Sequence, residues 1–231
     1  MVLVIGGTRG TGLLIAHRLS KSGKPVRVMA RDPDAARRRL DARVEVVPGD
    51  LTKAATLAPA VSGAADVILT AGCRSGHFAT ETEIKATEFE GVRSLLAALR
   101  REGFQGRVLY MTSSGVGTRS LAAAALNFYK GNTLRWRARA ETEIRSSGLD
   151  YTIIRAGVLL NRPGGRRALW VTQEALPLSP RYRIARADVA DVFGAALDSA
   201  RVSRATFDVV WARGKARQPM ETLFAGLRRD V

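Results

Sequence analysis

The chain has 231 residues with 46% hydrophobic and 25% charged side chains, enough for one substantial core in an ordinary globular protein. One cysteine, Cys73, excludes an intrachain disulfide, the isolated His17 and His77 give no metal site, and no apolar run approaches the length of a membrane span. The formal charge of +16, carried by 31 arginines and 6 lysines, would attract anionic cofactors and substrates.

Met1 leads at once into an apolar run over 2–5, which predicts the first strand, so no signal or transit peptide is expected. That strand delivers the chain into Gly6-Gly7-Thr8-Arg9-Gly10-Thr11-Gly12, and the turn opens an amphipathic helix expected over 12–22. Strand, glycine turn and helix in this order are the context in which a dinucleotide pyrophosphate meets free backbone N–H groups. A second strand over 26–30 ends at Arg31. An arginine there favours the 2′-phosphate of NADP, whereas an acidic residue would bond the ribose hydroxyls of NAD. Arg9, inside the turn, flanks the same phosphate, so two guanidinium groups face one dianion.

Further along, helices are predicted over 34–40, 51–61, 82–102, 132–147 and 188–199, with a short docked helix over 220–227. Strands are predicted over 44–47, 67–70, 107–112, 150–155 and 206–210. This alternation of short apolar strands with helices implies a doubly wound, Rossmann-like parallel sheet, read as a single domain over 1–231. The irregular stretch 161–186, with Gly164-Gly165 and three prolines, reads as an insertion over the carboxyl edge of the sheet. It makes a small substrate lobe of about 156–186.

Ser113 and Ser114 follow the fifth strand, where a hydroxyl polarises a carbonyl or holds a carboxamide, or else serves a turn or helix cap. Cys73 reads as buried and inert, Asp188 as a helix cap, and Trp136 and Trp170 as packing aromatics. The arginines are spread in short clusters without an aromatic ladder, so they read as solvated helix faces, and nucleic acid is not expected as a partner.

Together these segments resemble the atypical short-chain dehydrogenase/reductase proteins of the NmrA-like and biliverdin-reductase-B-like kind over nearly the whole chain. The resemblance is carried by the glycine turn, Ala30-Arg31-Asp32-Pro33, Gly49-Asp50-Leu51, Thr112-Ser113-Ser114, the run from Ser147 to Arg155, and Ala187-Asp188-Val189-Ala190. It implies NADP(H) as cofactor, with Gly6, Gly7, Thr8, Arg9, Gly10, Thr11 and Gly12 around the pyrophosphate and Arg31 at the 2′-phosphate. Asp50 and Leu51 would bracket adenine, and Ala71, Gly72, Thr112, Ser113 and Ser114 would line the ribose–nicotinamide side. Ala156 and Gly157 are expected at the cofactor too, although the chain reads Arg155-Ala156-Gly157 where Arg-Pro-Gly is common.

The Tyr-x-x-x-Lys pair of ordinary short-chain dehydrogenases is missing: Tyr129 is followed four residues later by Thr133. A helix lysine of some relatives is replaced by Arg137, which cannot shuttle a proton near neutral pH. Ser113, Ser114 and Tyr129 are therefore the candidate catalytic hydroxyls. The expected function is NADPH-dependent reduction of a small carbonyl or conjugated organic compound in the cytoplasm. The alternative is a non-catalytic NADP(H)-binding regulator or assembly scaffold, whose basic surface would suit an acidic protein partner.

Overall fold

The computed structural model describes residues 1–73, 79–213 and 216–230, so His77 and Lys215 lie outside it. Short β-branched runs become parallel strands, buried except at the edge strand β3: β1 (Val2–Ile5), β2 (Val26–Ala30), β3 (Glu45–Pro48), β4 (Asp66–Leu69), β5 (Arg107–Ser113) and β6 (Asp150–Ala156). Further on come β7 (Val158–Leu160), β8 (Leu169–Thr172), β9 (Arg183–Ala185) and β10 (Ala205–Trp211). The main sheet runs β3-β2-β1-β4-β5-β6-β10-β8, parallel except for β8, which pairs antiparallel with β10. Strand order reverses between β1 and β4, and the crevice outside their carboxyl ends is where such folds place ligands.

Helices cover both faces. On one side α1 (Gly10–Lys21) and α8 (Arg186–Leu197) pack Ile15, Leu19, Val189 and Phe193 against Val4, Val28 and Phe207. Phe224, beside the short α9 (Met220–Leu223), closes that layer. On the other side α3 (Leu57–Val61), α5 (Gly91–Arg101) and α7 (Thr133–Arg145) pack Leu57, Leu95, Leu99 and Ile144 against Leu3, Ile5 and Leu69. Such burial removes each side chain from water for about 1.5–3 kcal/mol. No helix among the described residues is long and apolar enough to cross a membrane.

Several elements differ from expectation. The predicted helix over 82–102 is α4 (Glu81–Lys85), a π-helical stretch over Ala86–Glu90, and then α5. The predicted helix over 51–61 shortens to a 3₁₀ turn over Ala54–Thr56 followed by α3, because Thr56 Oγ1 bonds the Asp50 backbone and keeps residues 50–53 out of the helix. The helix α2 (Pro33–Arg37) is also shorter than expected. A helix α6 (Leu121–Tyr129) was not predicted. The insertion is more ordered than its glycines and prolines suggest: it supplies β8 to the sheet edge, and β7 and β9 pair as a separate ribbon.

Candidate functional site

The glycine turn is shaped by collisions that side chains would cause. Gly6 has φ +90°, and a Cβ there would lie 2.6 Å from the Ala71 backbone nitrogen. A Cβ on Gly12 would collide with the Gly6 carbonyl and Thr70 Oγ1. The turn after β1 and the end of β4 are thus in direct backbone contact. Gly7 points the other way: a Cβ there would meet Val28 Cγ2 at 2.9 Å, so this glycine seats the turn on the sheet and does not line the cleft. No side chain caps α1, and its first amides, from Gly10, Thr11 and Gly12, are left for a ligand at the positive end of the helix.

A cleft of about 1260 Å³ runs from this turn across the switch point. Its near end is lined by Thr8, Arg9, Arg31, Asp50 and Leu51, and its far end by Ala71, Gly72, Thr112, Ser113, Ala156 and Gly157. The residues expected at the cofactor are thereby brought together, apart from Gly7 and Ser114. Arg31 is exposed, and Asp32 beside it is already committed: its Oδ1 accepts the Ala35 amide at 2.9 Å and caps α2. Thr52 holds the Asp50 carboxylate through its backbone and side chain, both at 2.9 Å.

Two cleft arginines were missed as ligand residues by reading the sequence. Arg186 opens α8 and reaches across to Asn161 Oδ1 at 2.9 Å and Thr11 Oγ1 at 3.4 Å. No carboxylate pairs with it among the described residues, and burial lowers its pKa, so an anion beside the turn would satisfy it. Its only sequence signal is its place before Ala187-Asp188-Val189-Ala190.

The other is Arg137 on α7, which the family resemblance matches to a helix lysine of some relatives. Its guanidinium grips Glu88 with both ends, Nε to Oε2 at 2.7 Å and Nη2 to Oε1 at 3.1 Å. Glu88 sits in the π-helical stretch, 4% exposed, and also accepts the Thr133 hydroxyl at 2.6 Å. Burial works to raise the Glu88 carboxyl, but Arg137, Thr133 and the Cys73 amide hold it below its ordinary value. Burial also works to lower the Arg137 guanidinium, and Glu88 pushes it up instead. The pair therefore stays ionised, and it keeps a fixed cation beside Gly72.

The candidate hydroxyls separate. Ser113 lines the cleft and donates to the Ser114 carbonyl at 3.0 Å. Ser114 is buried behind the strand end, facing Asp208, and does not line the cleft. The Thr112 hydroxyl is engaged by Glu141 at 2.8 Å, which also takes Arg155 Nε at 3.0 Å and Arg145 Nη2 at 2.9 Å. Tyr129 lies at the end of α6, 81% exposed and edge-on to Phe128, outside the cleft.

Two readings outside the cofactor set are corrected. Asp188 does not cap α8, which begins after Ala185; it is 1% exposed and accepts from Trp211 Nε1, the Gly165 amide and Arg217 Nη1. Cys73 is half-buried and lines the cleft. Trp136 packs on Phe89 and Trp170 lies beside Tyr182.

The sequence pattern of the NAD(P)H-binding family matches residues 6–200, from the glycine turn through α8. The chain belongs to that family. NAD(P)H is the cofactor its members bind, and the glycine cradle and the arginine-rich near end of the cleft fit it. This NAD(P)H-binding protein is 31% identical over 209 residues to the uncharacterised chloroplastic protein At2g37660 of Arabidopsis thaliana, covering 83% of this chain and 63% of that one. It is 44% identical over 81 residues to sanguinarine reductase of Eschscholzia californica, 34% of this chain and 29% of that one. To the photosystem II assembly factor Ycf39 of Synechocystis it is 26% identical over 220 residues, 92% of this chain and 63% of that one. The chain thus spans less than two thirds of the length of each of these relatives.

Among solved structures, the fold is similar to a short-chain dehydrogenase/reductase from Veillonella parvula DSM 2008 in complex with NADP. That likeness has a TM-score of 0.70 at 20% identity, over 93% of this chain and 95% of that one. It is also similar to ChuY, an anaerobillin reductase from Escherichia coli O157:H7, with a TM-score of 0.74 at 22% identity over 93% and 98%.

Proposed function

We propose that this protein is an NADPH-dependent reductase whose substrate is a flat, conjugated, electron-poor organic compound or a small carbonyl compound. The observation that carries this reading is the Arg137–Glu88 pair. By the family resemblance Arg137 stands where some relatives carry a helix lysine, and its guanidinium, held by Glu88, cannot give up its proton. A site without an internal relay suits an acceptor that spreads incoming negative charge over its own π system. NADPH, when bound, supplies the hydride. The proton then comes from water at the open cleft.

The chain's own groups do the rest. Arg31 and Arg9 select the 2′-phosphate, since Asp32, the acidic side chain that would favour NAD, is spent on capping α2. Arg186 and the α1 amides hold the pyrophosphate. Ser113 offers the cleft a hydroxyl that orients a carboxamide or polarises a carbonyl. Met111, Ala156, Val158 and Leu159 give an apolar wall for a flat ring system, with residues 156–186 as the substrate lobe. Names of similar proteins support the reading: sanguinarine reductase in sequence and an anaerobillin reductase in fold.

A second reading, a non-catalytic NAD(P)H-binding regulator or assembly protein, is favoured by the likeness to the photosystem II assembly factor over 92% of the chain. The test is NADPH oxidation against quinones, flavins, tetrapyrroles and aldehydes, with wild type, Ser113→Ala and Tyr129→Phe. Turnover on a conjugated acceptor is expected, unchanged in Tyr129→Phe. In Ser113→Ala it should fall at most about tenfold, short of the roughly 10²–10⁴-fold loss of a true proton donor. Tight NADPH binding with no turnover on any acceptor would establish the second reading instead.

A further inference from the structure

A second concave site takes Arg183 of β9 into its lining, apart from the cofactor cleft. It is a cavity of about 690 Å³ lined by Arg166, Arg167, Arg181, Arg183 and Arg213 around Trp211, and it shares no lining residue with the cofactor cleft. Five guanidinium groups converge here from three separate segments. Arg166 and Arg167 lie before β8, Arg181 and Arg183 at β9, and Arg213 just past β10. Among the described residues, none of the five pairs with a carboxylate.

The acidic side chain nearest by hydrogen bonding, Asp188, is 1% exposed and consumed from below by Trp211 Nε1 at 2.6 Å, the Gly165 amide at 2.7 Å and Arg217 Nη1 at 2.6 Å. These bonds pin the Trp211 floor and fasten the arginine-bearing loop to α8. Arg167 lies over the indole, 4.6 Å from its centroid.

Like charges gathered in one concavity repel one another unless an anion offsets them. We propose that this cavity is a second ligand site, for an oligophosphate, meaning a chain of linked phosphate groups. The number of guanidiniums exceeds what one phosphate can engage, and planar forks bind several phosphate oxygens in parallel. Arg167 already covers the Trp211 face, so the site reads charge and offers no stacking platform for a nucleobase. Its lining is otherwise only Pro180 and Ala212, too little apolar surface to anchor an acidic peptide.

The experiment is calorimetric titration of the full chain with inorganic tripolyphosphate, with orthophosphate as the single-phosphate control and excess NADP⁺ occupying the cofactor cleft. Saturable one-to-one binding of tripolyphosphate is expected. Replacing Arg181, Arg183 and Arg213 together by alanine should lower the affinity at least about a hundredfold, and Arg181→Ala or Arg213→Ala alone about tenfold. Arg183→Lys, which keeps the charge but not the fork, should also weaken binding. A control triple at exposed Arg101, Arg201 and Arg229, with the same loss of charge, should change it less than threefold.

Equal losses in the two triples would reduce the effect to net charge and overturn the proposal, as would binding no tighter than orthophosphate. An oligonucleotide bound more tightly through the same arginines would overturn the assignment to oligophosphate in favour of nucleic acid. NADP⁺ affinity should be the same in wild type and the Arg181/Arg183/Arg213 triple, which separates this site from the cofactor reading.

Discussion

At the scale of single residues, the cofactor cleft assigns different tasks to different arginines. In the proposed binding mode Arg31, which lines the cleft, meets the 2′-phosphate, while Arg186, against Gly10 and Thr11, meets the pyrophosphate. Arg31→Ala should therefore weaken NADPH binding roughly tenfold or more and leave NADH nearly unchanged, since a charge-assisted hydrogen bond contributes about 1.5–3 kcal/mol. Arg186→Ala should weaken both by a similar factor. Calorimetry with both cofactors on both variants checks the pattern, and equal wild-type affinities for NADPH and NADH would contradict it.

Asp208 makes a second residue-scale case. Burial pushes its carboxyl from 3.8 up to about 6, against the pull of Ser114 and Arg155. The folded chain therefore holds this proton more tightly than the unfolded chain. Stability from this group is full below about pH 4 and declines as pH rises through about 6. Asp208→Asn should remove that decline, so the variant gains on wild type in Tm between pH 4.5 and pH 7. A difference that stays constant across that range would show that Asp208 ionises without penalty.

At the scale of elements, the π-helical stretch between α4 and α5 matters most. The extra residue in its turn aims Glu88 inward at Arg137 and Thr133 of α7, clamping the two helices over the sheet. Removing one partner of a buried pair typically costs about 3–5 kcal/mol. Arg137 keeps 22% exposure, so Glu88→Gln should fall near 3, a Tm loss of roughly 5–10 °C. The glycine turn is equally intolerant. Gly12→Val would drive a branched side chain into the Gly6 carbonyl and should abolish binding of both cofactors, with circular dichroism checking the fold.

What the sequence made legible follows from the same physics. β1 and β2 have the predicted bounds because β-branched runs bounded by glycine and charge leave little choice. α6 escaped because Leu121 to Tyr129 carries no amphipathic pattern: its exposed face is itself apolar, with Leu121 92% and Phe128 84% exposed. β8 escaped because its pairing with β10 is long-range and antiparallel in a stretch full of turn signals. Similarly, Asp188 looked like a cap from its place before an apolar helix, whereas only tertiary packing brings Trp211, Gly165 and Arg217 to it. The Arg137–Glu88 pair was invisible for the same reason, its partners lying 49 residues apart.

Across the whole molecule, arginines line two separate concavities, one at the switch point of the sheet and one among residues 166–167, 180–183 and 211–213. One is built around a glycine turn and apolar walls, and the other around five guanidiniums and Trp211. The high positive charge is therefore not spread evenly: part of it lines these two concavities. If the first concavity is the proposed reductase site, it passes a hydride from NADPH to the acceptor and Tyr129 takes no part. Single-turnover reaction of 4-deuterated NADPH with an electron-poor conjugated acceptor tests it most directly, with the product analysed by mass spectrometry in H₂O and D₂O. The account predicts one deuterium from the cofactor and one hydrogen that follows the solvent, in wild type and in Tyr129→Phe alike. Bound cofactor with no deuterium delivered to any acceptor would contradict it.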